Sequence, residues 1–144
     1  MITDLDSIFP NLAKSGYRRS SSPTSQYNCL AWALGDDTRW WEPDIYNLFF
    51  WPSGIPRNYV IANYLKVCRK CGYERCPDGK LETGYEKLAI FTQGNQFKHV
   101  ARQCQNGVWT SKLGRLDDID HQIDAFEGSN YGIPTIFLKR KLQT

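Results

Sequence analysis

The sequence has few of the residues that give a protein an obvious chemistry. Only two of its 144 residues are histidines, so a histidine base would have to be His99 or His121. Its five cysteines are an odd number, which argues against a fully paired disulfide framework. The apolar runs are too short to cross a bilayer, so we expect no membrane partner.

Strong charge is also missing. The net charge is only +3, and adjacent basic residues occur only at positions 18–19, 69–70 and 139–141, so we expect no nucleic-acid partner. The opening residues MITDLDSIFPNL include two aspartates and a proline, unlike a secretory signal peptide. We therefore expect a cytoplasmic protein, in which cysteines are thiols, metal ligands or a catalytic group.

The length fits one domain over residues 1–144, and the residue patterns predict an α+β fold. Residues 1–27 form an arm whose helical turn breaks near Pro10. A short apolar helix begins at Cys29 and stops at Gly35, and its lack of a polar face indicates that it is buried. A long aromatic loop over 36–56 follows.

The rest of the chain predicts one more long helix and an antiparallel sheet. Pro56 can open that helix and Gly72 can close it. Asp117 and Asp118 suit the first turn of a further helix, with Ile119, Ile123 and Phe126 on one face. Strands are predicted over 85–92, 97–104, 107–112 and 133–141.

Cys29 is the candidate nucleophile. A thiol at a helix N-terminus meets free backbone N–H groups and the positive end of the helix dipole, which can lower its pKa from ~8.5. His99 lies mid-strand in a segment expected to pack on this helix, and is either a general base or a hydrogen-bonded core residue. His121 falls in the acidic predicted helix and is expected to be a solvated surface residue.

The segments YNCLAWA and KHVARQCQNGVWTSKLG resemble the papain-like cysteine peptidases of the NlpC type. The likeness covers residues 25–35 and 97–114. It implies a papain-like fold in which a buried helix headed by Cys29 packs on an antiparallel sheet. It also implies Cys29 as nucleophile and His99 as base. The wider pattern, with GYEKLAIF and DAFEG, also resembles an uncharacterised family of small bacterial proteins, which implies no activity.

The NlpC-type third residue, usually His, Asn or Gln, comes from the next strand of the hairpin, where this chain has Ser111. A three-residue turn at 105–107 would place Ser111 on the face of His99, and this register is favoured. A two-residue turn at Asn106 and Gly107 would instead place Thr110 and Lys112 there. A lysine beside His99 would favour a binding site.

Several residues are candidates for binding a substrate. They are Tyr27, Trp40, Trp41, Trp109 and Lys112. Tyr27 could line an oxyanion pocket or simply pack, and the aromatic loop could form the wall of a groove or part of the core. Glu42 could contact a substrate amine.

The other cysteines include a C-x2-C-x4-C pattern at Cys68, Cys71 and Cys76, with Cys104 as the only obvious fourth ligand. Packing is the favoured interpretation, because Cys68 falls on the apolar face of its helix. A zinc site usually needs four ligands, and the dipole at a helix C-terminus disfavours the thiolate of a redox pair. We expect no metal and no cofactor.

These features favour a cysteine hydrolase or acyltransferase acting on an amide or thioester, with a peptide or small acyl or amide substrate. Cys29, His99 and Ser111 would be its catalytic residues. The alternative is a non-catalytic binding module on the same fold that recognises a peptide or small ligand through an aromatic-lined groove. The oligomeric state stays open.

Overall fold

A computed structural model describes residues 5–142 and contains a seven-stranded antiparallel sheet with few helices. The strand order is β1-β6-β5-β4-β3-β7-β2. The helices are α1 Leu5–Ile8, α2 Leu12–Ser15, α3 Cys29–Ala33 and α4 Ile61–Lys70. The strands are β1 Tyr17–Arg19, β2 Glu74–Cys76, β3 Tyr85–Gln93, β4 Gln96–Gln103, β5 Trp109–Lys112, β6 Asp118–His121 and β7 Ile133–Lys141.

Two apolar clusters cover the two faces of the sheet, and β3 shows the division. Leu88 and Ile90 join the first cluster, which also contains buried residues of α3 and α4. Ala89 and Phe91, which alternate with them, join the second cluster. Burial on both faces explains why KLAIFT reads as a continuous apolar run rather than as an alternating one.

The second cluster includes residues from both ends of the chain. Leu5, Phe9 and Leu12 of the N-terminal segment pack there against Phe126 and the sheet. The two N-terminal helices lie on either side of Pro10, where the sequence predicts a break.

The sequence predicts α3 and the four strands near their observed bounds, and an α+β fold is confirmed. The α4 helix begins at Ile61 rather than near Pro56, and it ends at Lys70, before Gly72. The edge strands β1 and β2 were not predicted. Both are three residues long and rich in charge, as suits exposed sheet edges.

The predicted helix over 117–126 is wrong. Asp118–His121 is strand β6, paired on one side with β5 and on the other with β1, and turns follow it. Acidic residues that suggest a helix N-terminus here have other partners. Asp118 accepts a hydrogen bond from the Tyr27 hydroxyl (2.6 Å), and Asp117 pairs with Arg19 (3.5 Å). Asp120, in the same segment, pairs with Arg18.

Gly132 provides a test of this packing because it lies just before β7. Its φ is +75°, and an added Cβ would lie 1.9 Å from the Thr92 carbonyl oxygen. Gly84 has a similar φ of +86° with no atom within 4 Å of that position. We expect Gly84→Ala to lower the free energy of unfolding by about 1 kcal/mol from strain alone. Gly132→Ala should cost roughly 1–3 kcal/mol more, as over-packed sites do. Urea denaturation measures both, and equal losses would contradict the close approach.

Candidate functional site

Cys29 lies at the first position of α3, and Asn28 fixes the chain on both sides of it. The Asn28 side-chain oxygen accepts from the Ala31 amide (3.2 Å) and from the Trp41 amide (3.1 Å). Its amide nitrogen donates to the Trp41 carbonyl (2.6 Å). One buried side chain therefore caps the helix and attaches the aromatic loop beside the thiol.

Cys29 and His99 line one cavity of about 300 Å³. His99 belongs to β4, and its side chain is buried among residues of the second cluster, whereas α3 packs on the face of the first. Both residues line the cavity near the point where β5 ends at Lys112 and no longer pairs with β4. The remaining lining residues are Asn28, Leu30, Trp40, Trp41, Glu42, Tyr59, Tyr64, Phe97, Lys98, Gly114 and Tyr131.

The β4–β5 hairpin has the three-residue turn. The Cys104 amide donates to the Val108 carbonyl (2.7 Å), and Gly107 has a φ of +87°. His99 Nε2 and Ser111 Oγ are 2.9 Å apart and both side chains are fully buried. The favoured register is therefore the observed one.

His121 extends this contact. The sequence predicts a solvated surface residue at this position, and that prediction is wrong. His121 is 1% exposed in β6, and its Nε2 lies 2.6 Å from Ser111 Oγ. Its other nitrogen, Nδ1, lies 2.7 Å from the Gln122 carbonyl oxygen. The missed signal is the strand alternation of Ile119 and His121, which places both on one face.

Aromatic rings hold both imidazoles in place. Tyr131 stacks on His99 with centroids 4.2 Å apart and planes 7° apart. Phe126 contacts the edge of His99 at 5.1 Å and lies 4.6 Å from His121, and Phe91 lies 5.6 Å from His99. These contacts restrict rotation of the two imidazoles. The side chains of His99, Ser111 and His121 together form a hydrogen-bonded polar chain.

Burial determines the ionisation of these groups. It raises the pKa of Cys29 to about 11, although backbone hydrogen bonding from Val100 and Leu30 opposes the shift. It lowers the pKa of His99 well below its usual value, with a smaller contribution from His121, and lowers that of His121 to about 4. The helix has only five residues, and its dipole does not overcome burial. The resting pair is therefore a neutral thiol and a neutral imidazole.

His99 Nδ1 is a buried nitrogen without a hydrogen-bond partner among the described residues. Over residues 5–142, no hydrogen bond joins Cys29 Sγ to His99 in this resting structure. Catalytic pairs are often looser in the absence of a ligand. The geometry therefore leaves one ring nitrogen of His99 free beside the cavity that it shares with Cys29.

The aromatic loop supplies the cavity wall, as Trp40 and Trp41 both line it. Glu42 accepts hydrogen bonds from Trp40 Nε1 (3.0 Å) and from the Tyr59 hydroxyl (2.6 Å). The hydrogen bond to Glu42 raises the pKa of Tyr59 to about 12. This wall combines flat apolar rings with one carboxylate.

The other three candidates for substrate binding have different surroundings. Tyr27 stacks on Trp32 and donates to Asp118. Lys112 is fully buried and donates to the carbonyl oxygens of Thr24 (2.7 Å), Gly114 (2.6 Å) and Leu116 (2.5 Å). Trp109 packs in the second cluster near Phe137. None of the three is among the lining residues of the cavity.

The remaining cysteines are free thiols, and three different elements contribute them. Cys68 is buried in α4, Cys71 caps its end, Cys76 lies in β2 and Cys104 follows β4. Within residues 5–142, no group of three or more His, Cys, Asp or Glu is positioned to hold a metal ion.

The chain belongs to the DUF7689 family, described as a domain of unknown function, whose family model matches residues 18–139. This agrees with the resemblance to an uncharacterised family and gives no support to the NlpC-type likeness. No curated protein and no solved structure matches the chain significantly. Among the described helices, none has the length and apolar character needed to cross a membrane.

The buried histidines predict an acid sensitivity. Both have pKa values below the usual ~6.5, so the unfolded state binds more protons than the folded state in this range. The free energy of unfolding should therefore fall as the pH drops from about 6.5 towards about 4. At pH 5 we expect a loss of roughly 1–2 kcal/mol per histidine relative to pH 7. Urea midpoints measure this loss, and His121→Gln should reduce it. Equal midpoints for the wild type at the two pH values would contradict it.

Proposed function

We propose that this member of the DUF7689 family is a cysteine hydrolase or acyltransferase that acts on an amide or thioester. Cys29 is the nucleophile, and His99 is its general base and then its general acid. One observation carries the proposal. Nδ1 of His99 is buried without a hydrogen-bond partner among the described residues, and His99 lines the same cavity as Cys29.

An unpartnered buried nitrogen is costly in a residue that only packs. Most buried polar groups have partners, because a lost hydrogen bond to water costs ~1–3 kcal/mol. Here the other nitrogen of the same ring is bonded to Ser111, so the ring orientation is set while Nδ1 stays free. A fixed ring with one free nitrogen, in a residue that lines the same cavity as a thiol, supports a role in proton transfer.

The proposed reaction needs no redox partner. As Cys29 Sγ bonds to the acyl carbon, its proton moves to His99 Nδ1, and the leaving amine or thiol then departs with that proton. The resulting thioester is attacked by water or by an acceptor nucleophile, whose proton passes through His99 to Sγ. Hydrolysis and transfer differ only in which acceptor reaches the thioester.

Because Cys29 and His99 are both neutral before the reaction, the proposed catalysis is general-base catalysis rather than attack by a preformed thiolate. A preformed ion pair is disfavoured because burial raises the pKa of Cys29 and lowers that of His99. Proton transfer therefore accompanies attack on the acyl carbon, and the reaction depends on a substrate that closes the gap between thiol and imidazole. A neutral thiol is also less readily oxidised than a thiolate.

The arrangement of α3 and the hairpin supports a papain-like organisation as part of the same proposal. A short helix headed by a cysteine packs beside antiparallel strands, and histidine and a third polar residue come from adjacent strands. Trp40 and Trp41 would form the wall that receives a peptide or small acyl group.

A binding module is the second candidate, and the ionisation state favours it. A neutral thiol and a neutral imidazole in an aromatic cavity suit recognition of a peptide or small ligand without reaction. In this case the free nitrogen of His99 would accept a hydrogen bond from the ligand.

Acyl transfer from an activated ester separates the two candidates. With p-nitrophenyl acetate, we expect release of p-nitrophenolate and acetylation of Cys29, mapped by mass spectrometry. Cys29→Ala should abolish this labelling, and His99→Gln should slow it about 10²–10⁴-fold, the usual contribution of a general base. Cys71→Ala, which removes another partly buried thiol, is the matched control and should leave the rate unchanged.

Labelling of Cys29 at equal rates in the wild type and in His99→Gln would contradict the proposed pair. Absence of acetyl-Cys29 in a wild-type protein whose other thiols are labelled would favour the binding module. Circular dichroism of each variant shows that its fold is retained.

A further inference from the structure

We infer that His121 is a positioning residue that acts through Ser111 to fix the tautomer of His99. It would thereby keep the proton off His99 Nδ1, the nitrogen proposed to accept the proton of Cys29. The inference deepens the proposed function, yet its test requires no turnover. It rests on the chain of short contacts between three buried side chains.

The Gln122 carbonyl determines the state of His121. A carbonyl oxygen only accepts hydrogen bonds, so the 2.7 Å contact requires the proton of His121 on Nδ1. The ring is neutral near pH 7, because burial lowers its pKa to about 4. His121 Nε2 therefore carries a lone pair, which faces Ser111.

The hydroxyl of Ser111 has one proton and two neighbours. His121 Nε2, at 2.6 Å, has no proton to give, so the contact requires Ser111 to donate to it. The oxygen of Ser111 is then left as an acceptor towards His99 Nε2, at 2.9 Å. The direction of both hydrogen bonds is set by His121.

His99 must then carry its proton on Nε2, in order to donate to Ser111. Since burial keeps the ring neutral, Nδ1 holds a lone pair, and this is the nitrogen without a partner. A lone pair there can accept a proton from a thiol, whereas an N–H could not. The carbonyl of Gln122 thus determines, through a chain of three hydrogen bonds, which nitrogen of His99 is basic.

Ser111 alone cannot do this. A hydroxyl donates or accepts with equal ease, so without His121 it could give its proton to His99 Nε2 and leave Nδ1 protonated. The neighbouring strands fix the distances, because Ser111 pairs with Ile119, and His121 follows on the same face. A serine at the third position is therefore sufficient only in combination with the second histidine.

Nuclear magnetic resonance of protein labelled with ¹⁵N at histidine reads these tautomers directly. The chain has two histidines, so His121→Gln assigns both spin systems. In the wild type we expect His99 entirely as the Nε2–H form and His121 entirely as the Nδ1–H form. A wild-type His99 with its proton on Nδ1 would overturn the inference without any variant.

Two substitutions at His121 separate orientation from packing. His121→Phe keeps a ring against Phe126 but removes the acceptor, so a Nδ1–H population of His99 should appear. His121→Gln places an amide oxygen near the former Nε2 and should restore the Nε2–H form. Ser111→Ala should also release His99 while His121 stays in its Nδ1–H form. Unchanged His99 tautomers in both His121→Phe and Ser111→Ala would show that the polar chain has no orienting effect.

The acetylation assay then distinguishes the inference from the proposed function. If both hold, His121→Phe slows acetylation of Cys29 and His121→Gln restores most of the rate. A tautomer shift in His121→Phe without any Cys29 acetylation in the wild type supports the inference while contradicting the hydrolase. Loss of acetylation in His121→Phe with an unchanged tautomer contradicts the inference alone.

Discussion

The register of the β4–β5–β6 strands is the constraint on which the site depends. A three-residue turn at 105–107 places Ser111 on the face of His99, and the β5–β6 pairing then places His121 on that same face. A slip of one residue would turn Ser111 to the opposite face and replace it with neighbours such as Lys112. In the observed register, Lys112 lies on the other face and donates to three backbone carbonyl oxygens.

Burial and reactivity oppose each other in this arrangement. The aromatic rings that fix His99 and His121 also remove water, so the charged forms of both histidines and of Cys29 are disfavoured. A polar chain of neutral groups avoids the cost of burying a charge while still giving His99 a defined direction. Under the proposed function, His99 would be a base whose tautomer is set in advance and whose ring stays neutral before the reaction. His99 would accept the proton of Cys29 only while the thiol attacks the substrate.

The sequence predicts local features well and long-range placement poorly. The helix headed by Cys29, its end before Gly35 and the turn at Gly107 all follow from capping and turn residues close in the chain. The acidic segment around His121 is predicted to be a helix, because aspartates are typical of the first turn of a helix. Its real partners are Tyr27, Arg18 and β5, up to 102 residues away. A short segment gives no local signal of such pairing, so the second histidine was missed.

The central claim is that His99 serves Cys29 as a base, and the most direct test is the alkylation rate of Cys29 by iodoacetamide as a function of pH. The wild type and His99→Ala should be compared, with mass mapping to separate Cys29 from the other thiols. Near neutral pH the wild type should react faster, because His99 accepts the thiol proton while Sγ attacks the reagent. The two profiles should converge towards pH 11, where the thiol ionises without help. Profiles that coincide at every pH would contradict the account and leave Cys29 as a packing residue.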